Sequence, residues 1–191
     1  MATSGEILNF WFGHPDDPAY GRERKVWFIK NPKFDAEIRE RFLTDYQSAS
    51  QGELNHWHNT PKSCLALVLL LDQFPRNLFR GQPQAFATDD QALALAKHAL
   101  EWNFDQQLLV IQRIFFYMPF EHSENLADQA RCVELFSQLD QNPETASFLD
   151  YAKRHRAVIR RFGRFPHRNR ILGRENTSEE DEFLQQPGSS F

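Results

Sequence analysis

Two short segments of the chain combine histidine with carboxylates or arginines, the side chains that most often transfer protons or hold anions near neutral pH. One segment is Glu121-His122-Ser123-Glu124, and the other is Phe165-Pro-His-Arg-Asn169. Imidazole and carboxyl groups in such settings can act as general acids or bases. We therefore take four residues as candidates for proton transfer: Glu121, His122, His155 and His167.

A third segment, Asp72-Gln-Phe-Pro-Arg-Asn77, repeats the Phe-Pro step and the Arg-Asn pair of the 165–169 segment. Guanidinium and amide groups at these positions could bind an anionic ligand. Alternatively, both segments only end helices, because proline cannot continue a helix and Arg and Asn side chains can satisfy the freed carbonyls. The candidate ligand-binding residues are Asp72, Arg76, Asn77, Glu124, Arg164, Arg168 and Asn169.

The helix that precedes the 165–169 segment has two different faces. His155 shares one face with Ile159 and Phe162, so we expect its ring to point into the protein. A buried histidine is more often a hydrogen-bonded core residue than a catalyst, and both interpretations stay open here. The second face carries arginines that repel one another at four-residue spacing, and carboxylates or a bound anion could compensate them. These arginines are Arg156, Arg160 and Arg164.

Common metal and cofactor motifs do not occur in the chain. Glu121 and His122 are adjacent, so both cannot comfortably face one metal ion, and no His-Glu-x-x-His sequence is present. A Gly-rich phosphate loop and a Gly-x-Ser-x-Gly nucleophile elbow are also missing. Cys64 and Cys132 are predicted to be buried, reduced thiols without a catalytic setting. We predict no metal and no cofactor.

Basic residues are concentrated near the C-terminus. The net charge is −4, yet residues 153–174 hold nine of the 22 basic residues and no carboxylate. Residues 1–152 carry 21 acidic and 13 basic groups, and such an acidic body argues against nucleic-acid binding. We expect internal ion pairs to hold part of the basic segment.

Helix signals dominate the chain, and strand-like alternation is missing. The apolar run Leu65–Leu71 predicts a central buried helix that stops at Pro75, and Pro119 is expected to break another helix. We predict an all-α fold, with a single domain over residues 1–186, eight or nine helices in antiparallel helical hairpins, and a flexible tail at 187–191. Six helix starts follow from capping side chains: Thr3, Asn31, Thr60, Thr88, Asn142 and Thr177.

Neither a membrane helix nor a secretory signal is visible. No run approaches the roughly 18 apolar residues that cross a bilayer, and the N-terminus lacks a basic segment followed by an apolar one. We therefore expect a cytoplasmic protein that does not contact a membrane.

Three separated motifs make the chain similar to a known family. They are Leu71-Asp-Gln-Phe-Pro-Arg-Asn77, Pro119-Phe-Glu-His-Ser-Glu124 and Arg161-Phe-Gly-Arg-Phe-Pro-His-Arg-Asn169. In this order they resemble the domain-of-unknown-function family 924, and the resemblance covers nearly the whole chain. It implies an all-α fold similar to tetratricopeptide-repeat proteins, and it implies no activity.

Two functional hypotheses follow from these residues. The first is a polar pocket at converging helix ends that binds a small anionic molecule, with acid–base catalysis by its histidines or glutamates. The second is a helical-repeat scaffold that binds a peptide or a protein partner, which rests on analogy with the fold alone. The first predicts that the side chains share one pocket, and the second predicts an exposed groove.

Overall fold

The computed structural model describes residues 1–139 and 145–189 of the chain. Over these residues the chain forms helices joined by short loops and contains no strand, which confirms the predicted all-α fold. The α-helical segments are α1 (Ser4–Phe12), α2 (Pro32–Ser50), α3 (Pro61–Val68), α4 (Phe74–Leu78), α5 (Asp89–Glu101), α6 (Val110–His122), α7 (Leu126–Ser137), α8 (Ala146–Phe162) and α9 (Ser178–Leu184). Short 3₁₀ turns cover Lys25–Trp27, Asn55–Asn59, Pro83–Phe86, Asp105–Gln107 and Pro166–Arg168.

A π-helical turn joins α3 to α4 and makes them one continuous helix, so the described residues form eight helices. The turn covers Leu69–Gln73 and precedes Pro75. Pro75 has no N–H to donate to the carbonyl of Leu71, and Thr88 Oγ1 donates to that carbonyl instead at 2.6 Å. The predicted stop at Pro75 is therefore wrong. The helix continues to Leu78 because another segment satisfies the freed carbonyl.

A second proline lies inside α6. The predicted break at Pro119 is also wrong, since α6 runs on to His122. All side chains from Ile114 to Glu121 are buried, so packing against the core outweighs the loss of one helical hydrogen bond. Gln129 Nε2 then satisfies carbonyls at the end of α6, among them that of Glu121 at 2.6 Å.

Most of the predicted helix ends are present. Thr88 precedes α5 but makes no side-chain cap, because its hydroxyl is bonded to the Leu71 carbonyl. The predicted start at Asn142-Pro143 lies outside the described residues. Helix α8 ends at Gly163, whose φ of 70° suits a residue without a side chain. Four predicted caps are confirmed: Thr3, Asn31, Thr60 and Thr177.

One hydrophobic cluster fills the centre of the protein. The predicted central helix is buried throughout from Cys64 to Leu71, and α1, α2, α5 and α6 pack around it. Helix α7 lies between α6 and α8 and contacts both. Both cysteines are free and buried, and burial raises the pKa of the Cys64 thiol to about 12, so this thiol stays protonated.

The fold leaves two features predicted from the sequence as predictions. The similarity to tetratricopeptide-repeat proteins is one of them, and the flexible tail is another. Within the tail only residues 187–189 are described, where Ser189 is buried and its hydroxyl donates to the Leu184 carbonyl at 3.2 Å. Among the helices of the described residues, none has both the length and the apolar character needed to cross a bilayer.

Candidate functional site

Four segments of the fold meet around a cavity of about 260 Å³. They are the turn Pro83–Phe86, the first turn of α5, the last turn of α6 and the loop after α8. The structure thus brings the predicted 121–124 and 165–169 segments to one place. The polar side chains of the cavity wall include Asp89, Asp90, His122, Glu124 and Arg168.

A hydrogen bond at the cavity joins a histidine to a buried carboxylate. His122 Nδ1 lies 2.7 Å from Asp72 Oδ1. The Asp72 side chain has no exposed surface, whereas that of His122 is 16% exposed and lines the cavity. Gln73 Nε2 donates to Asp72 Oδ2 at 2.5 Å, so both carboxylate oxygens accept a hydrogen bond. A carboxylate held in this way fixes the orientation and the tautomer of the ring.

Asp72 is ionised although it is buried. Burial raises the pKa of its carboxyl, but the charge of a protonated His122, the charge of Arg76 and the hydrogen bonds from His122 and Gln73 together lower it below its ordinary value. An ionised carboxylate only accepts hydrogen bonds, so the shared proton belongs to His122 Nδ1. The π turn of Leu69–Gln73 contains both Asp72 and Gln73, and such turns occur frequently at functional sites.

Asp89 links two arginines at the first turn of α5. Arg76 donates from Nη1 and Nη2 to the two carboxylate oxygens of Asp89 at 2.9 and 3.1 Å, which is a bidentate pair. Arg76 Nη1 also donates to the Asp72 carbonyl at 2.5 Å. Arg168 Nη1 reaches Asp89 Oδ2 only at 3.4 Å. The carboxylate of Asp89 therefore connects the region of Asp72 with the loop after α8.

Glu124 fastens the loop after α8 to the end of α6. Arg174 donates to both Glu124 carboxylate oxygens at 2.8 and 2.9 Å, and the backbone N–H of Phe165 donates to Oε1 at 2.8 Å. Burial raises the pKa of the Glu124 carboxyl, but these hydrogen bonds and the charges of Arg174 and Arg168 together lower it below its ordinary value. The loop that carries Arg168 is thus held on both sides of that residue.

Replacing Glu124 by glutamine is expected to lower the free energy of unfolding by about 1–3 kcal/mol, because charge-assisted hydrogen bonds are lost in a half-buried place. Urea denaturation measures the change. Glu179→Gln is the matched control, since Glu179 pairs with Arg161 at the surface and is 60% exposed. That pair is expected to contribute less than about 1 kcal/mol. Equal effects of the two substitutions would contradict the role given to Glu124.

Glu121 and His155 form a second buried pair that does not contribute to the cavity wall. His155 Nδ1 lies 2.9 Å from Glu121 Oε1, and the same nitrogen lies 2.9 Å from the Tyr151 carbonyl. The prediction that His155 points inward is confirmed, as its side chain is 8% exposed. His167 is also largely buried, 5.6 Å from the ring of Phe165. Burial and the nearby charge of Arg168 lower the pKa of His167 to about 4.

Five of the seven predicted ligand-binding residues do not line the cavity. Asp72 and Arg76 bond to the wall residues His122 and Asp89, and the other three are bonded to other parts of the protein. Asn77 Nδ2 donates to Asp35 Oδ1 of α2 at 2.7 Å. Arg164 donates to both carboxylate oxygens of Glu180 at 2.7 Å. Asn169 is fully buried and donates to a side-chain oxygen of the following loop at 2.9 Å. Of the seven predicted residues, only Glu124 and Arg168 line the cavity, so the structure does not gather the whole set in one pocket.

Internal ion pairs hold the basic segment, as expected. Four of its arginines bond to carboxylates of other segments, and two of these carboxylates belong to the acidic helix α9. The pairs are Arg161 with Glu179, Arg164 with Glu180, Arg168 with Asp89, and Arg174 with Glu124. Glu180 of α9 is therefore the main carboxylate partner of Arg164, and the charge of Glu124 contributes less.

Phe86, Asp89 and Arg174 belong to this site, yet their sequence context gave little sign of it. Asp89 follows a predicted capping residue, and an acidic residue in a first turn is common on electrostatic grounds alone. Arg174 could have been suspected as a site residue because it lies soon after the 165–169 segment in the sequence. Phe86 carried no signal, since only the folded chain brings its ring over Arg168.

Metal ligation finds no support in this geometry. Within residues 1–139 and 145–189, no group of three or more His, Cys, Asp or Glu side chains is arranged to hold a metal ion. Among the described residues, the ionisable groups of the cavity wall are one histidine, three carboxylates and one guanidinium.

Comparisons with known proteins agree with this geometry in fold and add no activity. The sequence profile of a family described as "Bacterial protein of unknown function (DUF924)" matches residues 7–188. A solved structure of a protein of unknown function, ATU0120 from Agrobacterium tumefaciens, is 40% identical in sequence, with a TM-score of 0.84 over 95% of this chain and 96% of that chain. No curated protein matches the chain.

Proposed function

Since this chain belongs to the DUF924 family of bacterial proteins of unknown function, whose description names no activity, we propose a function from its own geometry. The function is general acid–base catalysis on a small polar molecule bound in the cavity, with His122 as the proton-transfer group. One observation carries the proposal: the wholly buried Asp72 carboxylate holds Nδ1 of a histidine that lines an open cavity, at 2.7 Å.

The pair assigns the chemistry of each nitrogen of the ring. In the neutral ring, Nδ1–H of His122 donates to Asp72 and Nε2 carries the lone pair that can accept a proton from a bound molecule. When Nε2 takes that proton the ring becomes a cation, and the Asp72 carboxylate stabilises this cation electrostatically. Nε2 can then donate this proton to the product, so that the same ring acts first as a base and then as an acid. Imidazole suits both steps near neutral pH.

The size and charge of the site limit what it can bind. A cavity of about 260 Å³ lies just below the ~300–1,000 Å³ of pockets for drug-sized ligands, so it suits a compound with few heavy atoms rather than a peptide segment. Four carboxylates and three guanidinium groups form or surround it, which leaves little excess charge of either sign. We therefore propose that the ligand, predicted from the sequence to be anionic, carries at most one negative charge. The groups are Asp72, Asp89, Asp90, Glu124, Arg76, Arg168 and Arg174.

Proton transfer can be tested before the complete reaction is known. The protein is incubated in D₂O with a panel of small carbonyl compounds, and mass spectrometry follows deuterium incorporation at carbons next to the carbonyl. A general base removes the proton from such a carbon, and a deuteron from solvent replaces it. We expect the protein to accelerate exchange in at least one compound, and His122→Gln to slow that exchange by about 10²-fold or more.

His14 provides the matched control for this experiment. Its side chain is 64% exposed, and it lies outside the cavity wall. His14→Gln is expected to leave the exchange rate unchanged. Exchange that persists in His122→Gln, or a panel in which no compound exchanges faster than in buffer, would refute the proposed proton transfer.

We also infer a cytoplasmic location. Cys64 and Cys132 are both free and buried, and thiols in this state are typical of proteins from a reducing compartment. Fractionation of bacterial cells that express the tagged chain tests the location, and recovery from the periplasm would contradict it.

A further inference from the structure

We propose that the molecule bound in the cavity carries a single carboxylate, and that Arg168 is the residue that holds it. The inference rests on the proposed function for the location of the ligand, and it adds the ligand's chemical class and its anchor. Arg168 lines the same cavity as His122 and comes from a different segment, so a small molecule between them would contact both side chains.

The Arg168 guanidinium is held in a fixed orientation by two aromatic rings. Its central carbon lies 4.7 Å from the centroid of Phe86 and 4.5 Å from the centroid of Phe165. Such stacking restricts the planar group and leaves its N–H donors at the rim free to bond. The side chain is only 8% exposed, so its donors already lie in a place with little water. A guanidinium arranged in this way suits recognition of a planar carboxylate.

The hydrogen-bond donors of the Arg168 guanidinium are only partly satisfied by the protein. Its contact with Asp89 is 3.4 Å long, and the Asp89 carboxylate is already held by both Nη atoms of Arg76. Arg168 Nε is buried and has no hydrogen-bond acceptor within the part of the chain that the structure describes. Burial, followed by repulsion from Arg76, lowers the pKa of Arg168 to about 10, although the charges of Asp89, Glu124 and Asp72 act in the opposite direction.

The other two arginines near the cavity are better compensated. Arg76 has its bidentate pair with Asp89 and a hydrogen bond to the Asp72 carbonyl. Both Nη atoms of Arg174 are held by Glu124, although its Nε is buried without an acceptor among the described residues. Arg174 also does not form part of the cavity wall. An incoming anion therefore gains most at Arg168.

The neighbours of Arg168 favour a carboxylate over a phosphate. Asp89, Asp90 and Glu124 line the same cavity. These groups repel any anion, and they repel a phosphate with two negative charges about twice as strongly as a carboxylate with one. The small volume of the cavity points the same way, since it leaves room for a short acid with few heavy atoms.

Binding is tested by NMR titration at pH 8, where inorganic phosphate is mainly the dianion, with three matched sets of probes. The sets are acetate, propionate and benzoate; the corresponding amides; and inorganic phosphate. We expect the carboxylates to shift the Nε–H signal of Arg168 in a saturable manner. The amides and phosphate should bind at least about tenfold more weakly. The amides carry no charge, and the phosphate carries a second negative charge that the nearby carboxylates repel. Equal binding of an acid and its amide, tighter binding of phosphate, or no saturable shift would overturn the inference.

Two substitutions at Arg168 and one elsewhere complete the test. Arg168→Lys keeps the charge but loses the planar fork, and Arg168→Gln loses both, so each is expected to weaken carboxylate binding at least about tenfold. The matched control is Arg164→Lys, since Arg164 is bonded to Glu180 outside the cavity, and it should bind as the unaltered chain does. If either Arg168 variant fails to fold, the other variant and the acid–amide comparison still decide the matter.

Carboxylate binding and proton transfer are separate readouts. Saturable carboxylate binding without deuterium exchange in any compound would refute the proposed function and leave the assignment of Arg168 standing. Deuterium exchange that depends on His122, in a protein that binds amides as well as acids, would support the proposed function and refute the assignment of Arg168.

Discussion

Deuterium exchange by an Asp72→Asn variant is expected to be about 10²–10⁴-fold slower than by the unaltered chain. An asparagine side chain is nearly the same size as that of Asp72, but its amide is neutral and can donate as well as accept. The His122 tautomer with a free Nε2 lone pair is then no longer enforced, and the ring cation that forms during proton transfer loses its counter-charge. The rate is measured with whichever compound the unaltered chain exchanges fastest.

The expected loss does not require unfolding. Arg76 retains its bidentate pair with Asp89 after the substitution, so no buried guanidinium is left without a carboxylate. Circular dichroism and urea denaturation are expected to show a folded variant. Asp35→Asn is the matched control, because the Asp35 carboxylate likewise accepts hydrogen bonds from two other side chains, Asn77 and Arg80, but does not bond to His122. A folded Asp72→Asn variant with an unchanged exchange rate would remove the basis for the Asp72–His122 pair.

The helices were predictable because their signals are local. Capping side chains such as Thr3 and Thr177 act within three residues of themselves, so the sequence alone identifies them. The two prolines were misjudged for the opposite reason. The helix continues through Pro75 because the hydroxyl of Thr88, 17 residues along the chain from Leu71, donates to the Leu71 carbonyl. The local sequence does not reveal that contact. Pro119 is tolerated because α6 is buried on most sides, which depends on the whole fold.

The same distinction applies to the site. The histidine and arginine segments were recognisable from residue type, and two of their members, His122 and Arg168, line one cavity. Which carboxylate each cation meets depends on long-range packing: 50 residues separate His122 from Asp72, and 79 separate Arg168 from Asp89. Adjacent residues can also separate, since Glu121 bonds to α8 while its neighbour His122 bonds to Asp72.

The stability of the fold is expected to fall by about 2–3 kcal/mol between pH 7 and pH 4.5 through His167 alone. Burial, then the charges of Arg168 and His155, lower the pKa of His167 from 6.5 to about 4 in the folded protein. The unfolded chain therefore binds the proton more readily. Stabilisation by the neutral ring is fully present above pH 6.5, is lost as the pH falls, and is gone below about pH 4.

Urea denaturation at several pH values between 4.5 and 7 measures this loss. In His167→Gln the free energy of unfolding should depend less on pH over that window, whatever its value at pH 7, whereas the exposed His14→Gln should keep the original slope. The carboxyls of Glu124 and Glu180 do not interfere, because their lowered pKa values place their loss of stabilisation at pH values below about 4.5. An unchanged slope in His167→Gln would mean that His167 accepts a proton in the folded protein as easily as in water.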